Sequence, residues 1–256
     1  MIPPVYILAT CRNPDLLRAT TFVFASLRNG FPTADVTVHL NGMSGSIAET
    51  VFQAATGAEC RVVAVPHTIH HEWVAGLLES QREPFIILDT DVVFWQSVEG
   101  FDYSDCALSG RLAPEFYDLF TRCVTRPRLH GSFLYLDPAR IREQVSRFKA
   151  GFPDTPFNPM ANLIYPLMVP GRPHSFFHDT CCLLYQAIGG QAFTPEQLDC
   201  YDHLNCGTIA DLVEPHGHVG MVERQKAIYA DPSRVRGIWR QQNEYYDHYR
   251  TVPAAA

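Results

Sequence analysis

Glu83-Pro84-Phe85-Ile86-Ile87-Leu88-Asp89-Thr90-Asp91-Val92-Val93-Phe94 is the stretch that decides the fold. Residues 85–88 are an unbroken apolar run with two adjacent isoleucines, the pattern of a strand buried on both faces in a sheet covered by helices. The run ends in two carboxylates one residue apart. In an extended strand Asp89 and Asp91 point the same way, and a slight turn at Thr90 converges them on one cation. Paired oxygen donors at the carboxyl end of a buried strand sit where open α/β sheets bind ligands.

Outward from this stretch the chain alternates. Upstream, residues 70–80 place Trp73, Leu77 and Leu78 at helical spacing; downstream, Val92-Val93-Phe94 resumes a strand. Nearer the N-terminus, Val5–Ala9 reads as a strand, followed by a helix through Leu16, Leu17, Thr20, Phe24 and Leu27 that stops near Asn29-Gly30. Val36–Leu40 is a second strand, Ile47–Thr56 a second helix and Cys60–Val65 a third strand. Repeated strand–helix alternation with short connections predicts an α/β fold: a mostly parallel central sheet, flanked by helices and wound by right-handed crossovers.

Composition bounds the function. The 256 residues, 46% hydrophobic and 18% charged, fit one compact domain without linkers or low-complexity tracts. The net charge of −7 gives no electrostatic footprint for nucleic acid as a partner. No apolar run approaches the length of a membrane span and Met1-Ile2-Pro3-Pro4 carries no basic leader, so the expectation is a cytoplasmic protein. Eight cysteines at 11, 60, 106, 123, 181, 182, 200 and 206 form no CxxC and no regular framework, which reads as buried free thiols.

The second half is less regular. Residues 106–111 read as a short strand and turn, and residues 128–138 as a longer strand opened by His130-Gly131-Ser132 and closed by Asp137-Pro138, with a helix over 139–150. Residues 152–171, with Pro153, Pro156, Pro159, Pro166 and Pro170, read as a rigid surface loop. A helix then runs to Gly189-Gly190, with Asp179 as its N-cap. An apolar strand from Asp211 ends in the turn His216-Gly217-His218, and Val235, Ile238, Trp239, Gln242, Tyr246 and Tyr249 mark one face of a C-terminal helix. His67, His70 and His71 invite a zinc reading, but only Glu72 stands by to complete a tetrahedral set.

Helix, strand, Asp89-Thr90-Asp91 and further strand together resemble the nucleotide-sugar site of GT-A-fold glycosyltransferases. The resemblance implies a GT-A-like, Rossmann-like single domain over 1–256, with a nucleotide-sugar-binding half at 1–100 and an acceptor half with the C-terminal helix at 101–256. It implies that Asp89 and Asp91 hold Mn2+ or Mg2+, which bridges the diphosphate of a nucleotide-sugar donor, a UDP-sugar being favoured. A C-terminal histidine, His216 or His218, would complete the cation's shell. Donor contacts are implied at Thr10 and Arg12 after the first strand, whose other reading is as helix caps, at His71, and at His130 and Ser132. Asp179 is implied as the catalytic base of an inverting, hexosyltransferase-type transfer to an acceptor hydroxyl. The acceptor is a saccharide or another hydroxyl-bearing molecule, a hydroxylated nucleobase in DNA being disfavoured by the acidic balance. Two other classes compete. A nucleotidyltransferase acting on sugar phosphates usually carries an early glycine-rich phosphate loop, which residues 10–15 lack, and a non-catalytic nucleotide-sugar-binding module would need no metal. Nothing in the sequence fixes an oligomeric state.

Overall fold

The computed structural model describes residues 2–11, 17–118, 123–150, 159–172, 174–204, 236–237, 239–240 and 243. In chain order the elements are β1 (Val5–Ala9), α1 (Leu17–Gly30), β2 (Val36–Asn41), α2 (Gly45–Gly57), β3 (Arg61–Val65), α3 (His70–Ser80), β4 (Phe85–Leu88) and β5 (Val92–Phe94). There follow β6 (Leu108–Ala113), β7 (Phe116–Asp118), β8 (Cys123–Thr125), β9 (Arg128–Leu136), α4 (Pro138–Ala150), α5 (Pro159–Ile164), β10 (Leu167–Val169), β11 (Phe176–His178) and α6 (Cys182–Ile188). The last are β12 (Gln191–Ala192), α7 (Pro195–Leu198) and β13 (Tyr201–His203). Two compact units contain them. The first comprises Met1–Thr68, Ile86–Asp102 and Thr194–Trp239; the second comprises Ile69–Phe85, Tyr103–Phe193 and Arg240–Ala256.

The first unit is built on a parallel sheet in the order β4-β1-β2-β3, in which Val5 lies level with both Val36 and Ile86. All four residues of β4 are buried, as its apolar run predicts, whereas β3 at the sheet edge leaves Arg61 and Ala64 exposed. Because the strands are parallel, the loops after β1, β2, β3 and β4 all leave from the same edge. Helix α1 buries Val23, Phe24 and Leu27, each apolar side chain being worth about 1.5–3 kcal/mol. Its last residue must be glycine: a Cβ on Gly30 would lie 2.4 Å from the Phe94 ring.

The chain returns to this unit after Thr194. Thr194-Pro195-Glu196-Gln197 opens α7 with a reciprocal cap, the Thr194 Oγ1 accepting from the Gln197 N–H while Gln197 Oε1 accepts from the Thr194 N–H. Strand β13 then pairs antiparallel with β5, setting Tyr201 against Phe94, Asp202 against Val93 and His203 against Val92. Val23, Val93 and Leu204 form a buried cluster flanked by Phe22 and Trp95. Asp202, 1% exposed, accepts hydrogen bonds from Trp95 Nε1 (2.7 Å), the Gly237 N–H (2.7 Å) and the Trp239 N–H (3.2 Å).

In the second unit β6 and β9 pair antiparallel, with an irregularity between Gly110 and Leu112, and β12 adds in parallel to β6. A separate sheet runs β10-β11-β8-β7. Asp137 Oδ1 accepts from the N–H groups of Ala139 and Arg140, so Asp137-Pro138 starts α4 with a cap and a proline at the first helical position.

Three sequence expectations change here. Strand β6 runs on to Ala113, past the expected turn. The 152–171 loop contains regular elements: Pro159 opens α5, where its missing N–H costs nothing, and Pro166 and Pro170 lie just outside β10. Residues 176–178, expected to lead into a helix, instead pair as β11 with β8 and β10. Among the described residues the cysteines are free, and all but Cys200 are buried. No helix among them is long and apolar enough to cross a membrane. Of the expected C-terminal helix, Trp239, Arg240 and Asn243 are described, and Trp239 Nε1 donates to Asp199 Oδ1 at 3.0 Å.

Candidate functional site

The carboxyl edge of the first unit's sheet gathers the site. Buried Asn41, the last residue of β2, ties neighbouring loops together: its Nδ2 donates to Thr10 Oγ1 (3.0 Å) and to the Thr68 carbonyl (2.9 Å), and its Oδ1 accepts from the Thr68 N–H (2.7 Å). Gly42 follows with φ +61°, and a Cβ there would approach His67 Cβ to 2.7 Å. Thr10, an expected donor contact, is thus fixed by Asn41 at this edge.

Asp89 leaves β4 half-buried, and Asp91, 6% exposed, leads into β5. The β5–β13 ladder continues past its last pair, because the Leu204 N–H donates to the Asp91 carbonyl at 2.9 Å. That pairing brings His203, also buried, beside Asp91, with Nε2 3.2 Å from Asp91 Oδ1. One ligand atom from each of Asp89, Asp91 and His203 lies within 4.8 Å of the others. An octahedral ion with bonds of about 2.1 Å spaces adjacent ligand atoms by about 3 Å and opposite ones by about 4.2 Å, so the cluster fits a single cation. Two carboxylates brought together in partial burial repel one another, and a divalent cation turns that cost into attraction.

The histidine of this cluster is His203. His216 and His218 lie outside the described residues, as does Arg12. His203 was missed because only tertiary pairing brings it to the acidic pair; the one local cue is the short stretch Cys200-Tyr201-Asp202-His203, which ends in two metal-capable side chains.

The remaining expected site residues belong to the second unit. His71 lies on α3 with its ring 4.5 Å from that of Tyr165, and burial pushes its pKa below the usual imidazole value, with the charge of Glu72 opposing and that of His70 adding. On β9, His130 Nδ1 is 2.9 Å from Ser132 Oγ and accepts from the Ser132 N–H at 3.2 Å. Asp179 is not the N-cap of α6. That position is Cys181, at φ 62° and ψ 4°, with no side-chain cap. β11 takes the residues up to His178, so Asp179 falls in the turn before the helix, where its Oδ1 accepts from the Thr180 N–H (2.8 Å) and its Oδ2 meets Arg128 Nη2 (3.1 Å). A left-handed backbone at a buried cysteine costs on the order of 1 kcal/mol, and the turn is pinned by the Cys181 N–H donating to the Ile164 carbonyl at 2.9 Å.

No protein-family model matches the chain, and no curated protein matches it either. Solved structures do. A galactosyltransferase, LgtC, in complex with donor and acceptor sugar analogs is 14% identical, over 62% of this chain and 68% of that one, with a TM-score of 0.36. The chain resembles glycosyltransferases of the GT-A fold. GlyE of Streptococcus pneumoniae TIGR4, a glycosyltransferase, is 7% identical over 87% of this chain and 51% of that one, with a TM-score of 0.42. The mannosyltransferase PcManGT from Pyrobaculum calidifontis, in complex with GDP-Man and Mn2+, is 14% identical over 57% of this chain and 46% of that one, with a TM-score of 0.37.

Proposed function

We propose that the protein is a metal-dependent glycosyltransferase that moves a sugar from a nucleotide diphosphate sugar to an acceptor hydroxyl. The observation that carries the reading is the convergence of Asp89, Asp91 and His203 at the carboxyl end of a buried parallel strand. Two carboxylate oxygens and one imidazole nitrogen favour Mn2+ over Mg2+, which prefers oxygen and water ligands. When bound, the cation supplies Lewis-acid neutralisation of the leaving diphosphate. Asp91 and His203 are buried where β5 and β13 pair, and Asp89, half-buried, is the side chain of the three with room to meet the donor as well. Thr10, Arg12, His71, His130 and Ser132 are the proposed donor contacts.

Asp179 is proposed as the base of an inverting transfer. The acceptor oxygen attacks the anomeric carbon, the bond from that carbon to the diphosphate oxygen breaks, and the hydroxyl proton passes to Asp179. Its two contacts leave carboxylate lone pairs open to an acceptor hydroxyl. The test is release of nucleoside diphosphate from a panel of UDP-sugars, with manganese and with excess chelator. Turnover that needs manganese and vanishes in chelator supports the reading. Transfer of a nucleotidyl group to a sugar phosphate, or full turnover in chelator, overturns it.

A further inference from the structure

The side-chain amide of Asn41 has its orientation set by one backbone residue. Its Oδ1 accepts from the Thr68 N–H at 2.7 Å and its Nδ2 donates to the Thr68 carbonyl at 2.9 Å. Turned over, the amide would set nitrogen against an N–H and oxygen against a carbonyl, and both bonds would be lost. The second hydrogen of Nδ2 therefore serves Thr10, whose Oγ1 lies 3.0 Å away. Asn41 is 4% exposed, so the interior and not solvent decides this polarity.

The consequence falls on Thr10. A hydroxyl that accepts from an amide aims its own proton elsewhere, and among the described residues Thr10 has no bond besides the one from Asn41. Thr10 is half-buried, which leaves that proton within reach of an incoming molecule. Its place in the sheet says which one. Strand β1 lies beside β4 with Ile7 level with Leu88, so the chain leaves β1 for Thr10 about one strand spacing, ~4.8 Å, from where it leaves β4 for Asp89. Asp89, Asp91 and His203 gather on that same edge. A nucleoside diphosphate held by a cation there extends further than one strand spacing and is rich in acceptor atoms.

We infer that Asn41 is a positioning residue for the donor nucleotide: by holding Thr10 Oγ1 as an acceptor, it commits the Thr10 proton to an oxygen or ring nitrogen of the nucleotide. Thr10 makes the contact and Asn41 acts through it. The identity of the ligand rests on the transferase reading; the polarity of Thr10 does not.

The experiment is calorimetric titration of the full chain with UDP, GDP, CDP and ADP in the presence of manganese. It is run on the wild type, Thr10→Val, Thr10→Ser, Asn41→Asp and the Asn41→Asp, Thr10→Val double variant. At least one nucleotide is expected to bind the wild type. Thr10→Val should weaken that binding about threefold to tenfold, the worth of one hydrogen bond, and Thr10→Ser should bind as the wild type does. In Asn41→Asp the carboxylate takes the Thr10 proton, so binding should fall to the Thr10→Val level, and the double variant should be no weaker than either single one. A residue that only braced the loops would weaken binding in the Thr10→Val background as well. Should Asn41→Asp fail to fold by circular dichroism, Asn41→Ala, which leaves the Thr10 hydroxyl unheld, replaces it in the same cycle. The inference alone is overturned if Thr10→Val binds as the wild type does, if Thr10→Ser binds no better than Thr10→Val, or if the two single losses multiply in the double variant. Binding of none of the four nucleotides to the wild type would overturn the transferase reading together with it.

Discussion

His203 Nε2 stands 3.2 Å from Asp91 Oδ1, the first side chain presented by β13 and the second by the residue just before β5, strands that meet only in the folded chain. Neither strand alone carries a metal site; their ladder builds one. Replacing His203 by Ala should leave the sheet intact and raise the manganese concentration needed for half-maximal turnover by at least the roughly 10- to 100-fold that loss of a supporting partner costs. A manganese titration of nucleoside diphosphate release measures it, and an unchanged half-saturation point would remove His203 from the shell.

Asp202 faces away from that cluster and holds the same strand in place. Its carboxylate accepts from three N–H groups, on Trp95, Gly237 and Trp239. Asp202→Ala leaves those donors unmatched in a buried setting and should cost about 2–3 kcal/mol of stability, read from urea unfolding. A loss below about 0.5 kcal/mol, the range of surface substitutions, would contradict the anchoring role.

Much of the fold is legible in the sequence. The apolar run at residues 85–88 and the alternation through Val65 gave the parallel sheet, because period and burial speak directly in those stretches. The acidic pair was legible too, since Asp89 and Asp91 follow the strand immediately. His203 was not, because its place depends on a return of the chain after Thr194 that no local pattern encodes. Asp179 was misread as a cap for a similar reason: Asp-Thr before a helix is a good N-terminal signal, but pairing of β11 with β8 claimed the residues before it and moved the helix start to Cys182. In 152–171 the prolines suggest a rigid surface loop, while Pro159, Pro166 and Pro170 stand at the edges of α5 and β10, where they break nothing.

Asp179→Asn preserves size and the contact with the Thr180 N–H but cannot take a proton. It should fold as the wild type does, bind the donor normally and lose turnover by about 100-fold or more. A product whose anomeric configuration matches the donor's, or normal turnover in the variant, would dismiss Asp179 as the base of an inverting transfer.

Acid should destabilise the protein partly through His39. Burial, and then the charge of Arg61, lower its pKa below 6.5, and Tyr6 packs against the ring from β1. The fold thus favours the neutral imidazole, so this contribution is full above the unfolded value near 6.5 and is lost as pH falls toward the lowered one. His71 and His178 shift the same way. Thermal melts at about pH 7.5 and about pH 5.5 should show a smaller acid-induced drop in His39→Gln than in the wild type; equal drops would remove His39 from the acid limb.

The central claim is that Asp89, Asp91 and His203 hold one cation, and manganese binding followed by electron paramagnetic resonance tests it most directly. The free ion's signal should fall with added wild-type protein to a stoichiometry of about one per chain, as expected for a single three-ligand site. Asp89→Asn and Asp91→Asn, each folded by circular dichroism, should weaken that binding at least tenfold. Binding isotherms of both variants that overlay the wild type's would contradict the claim.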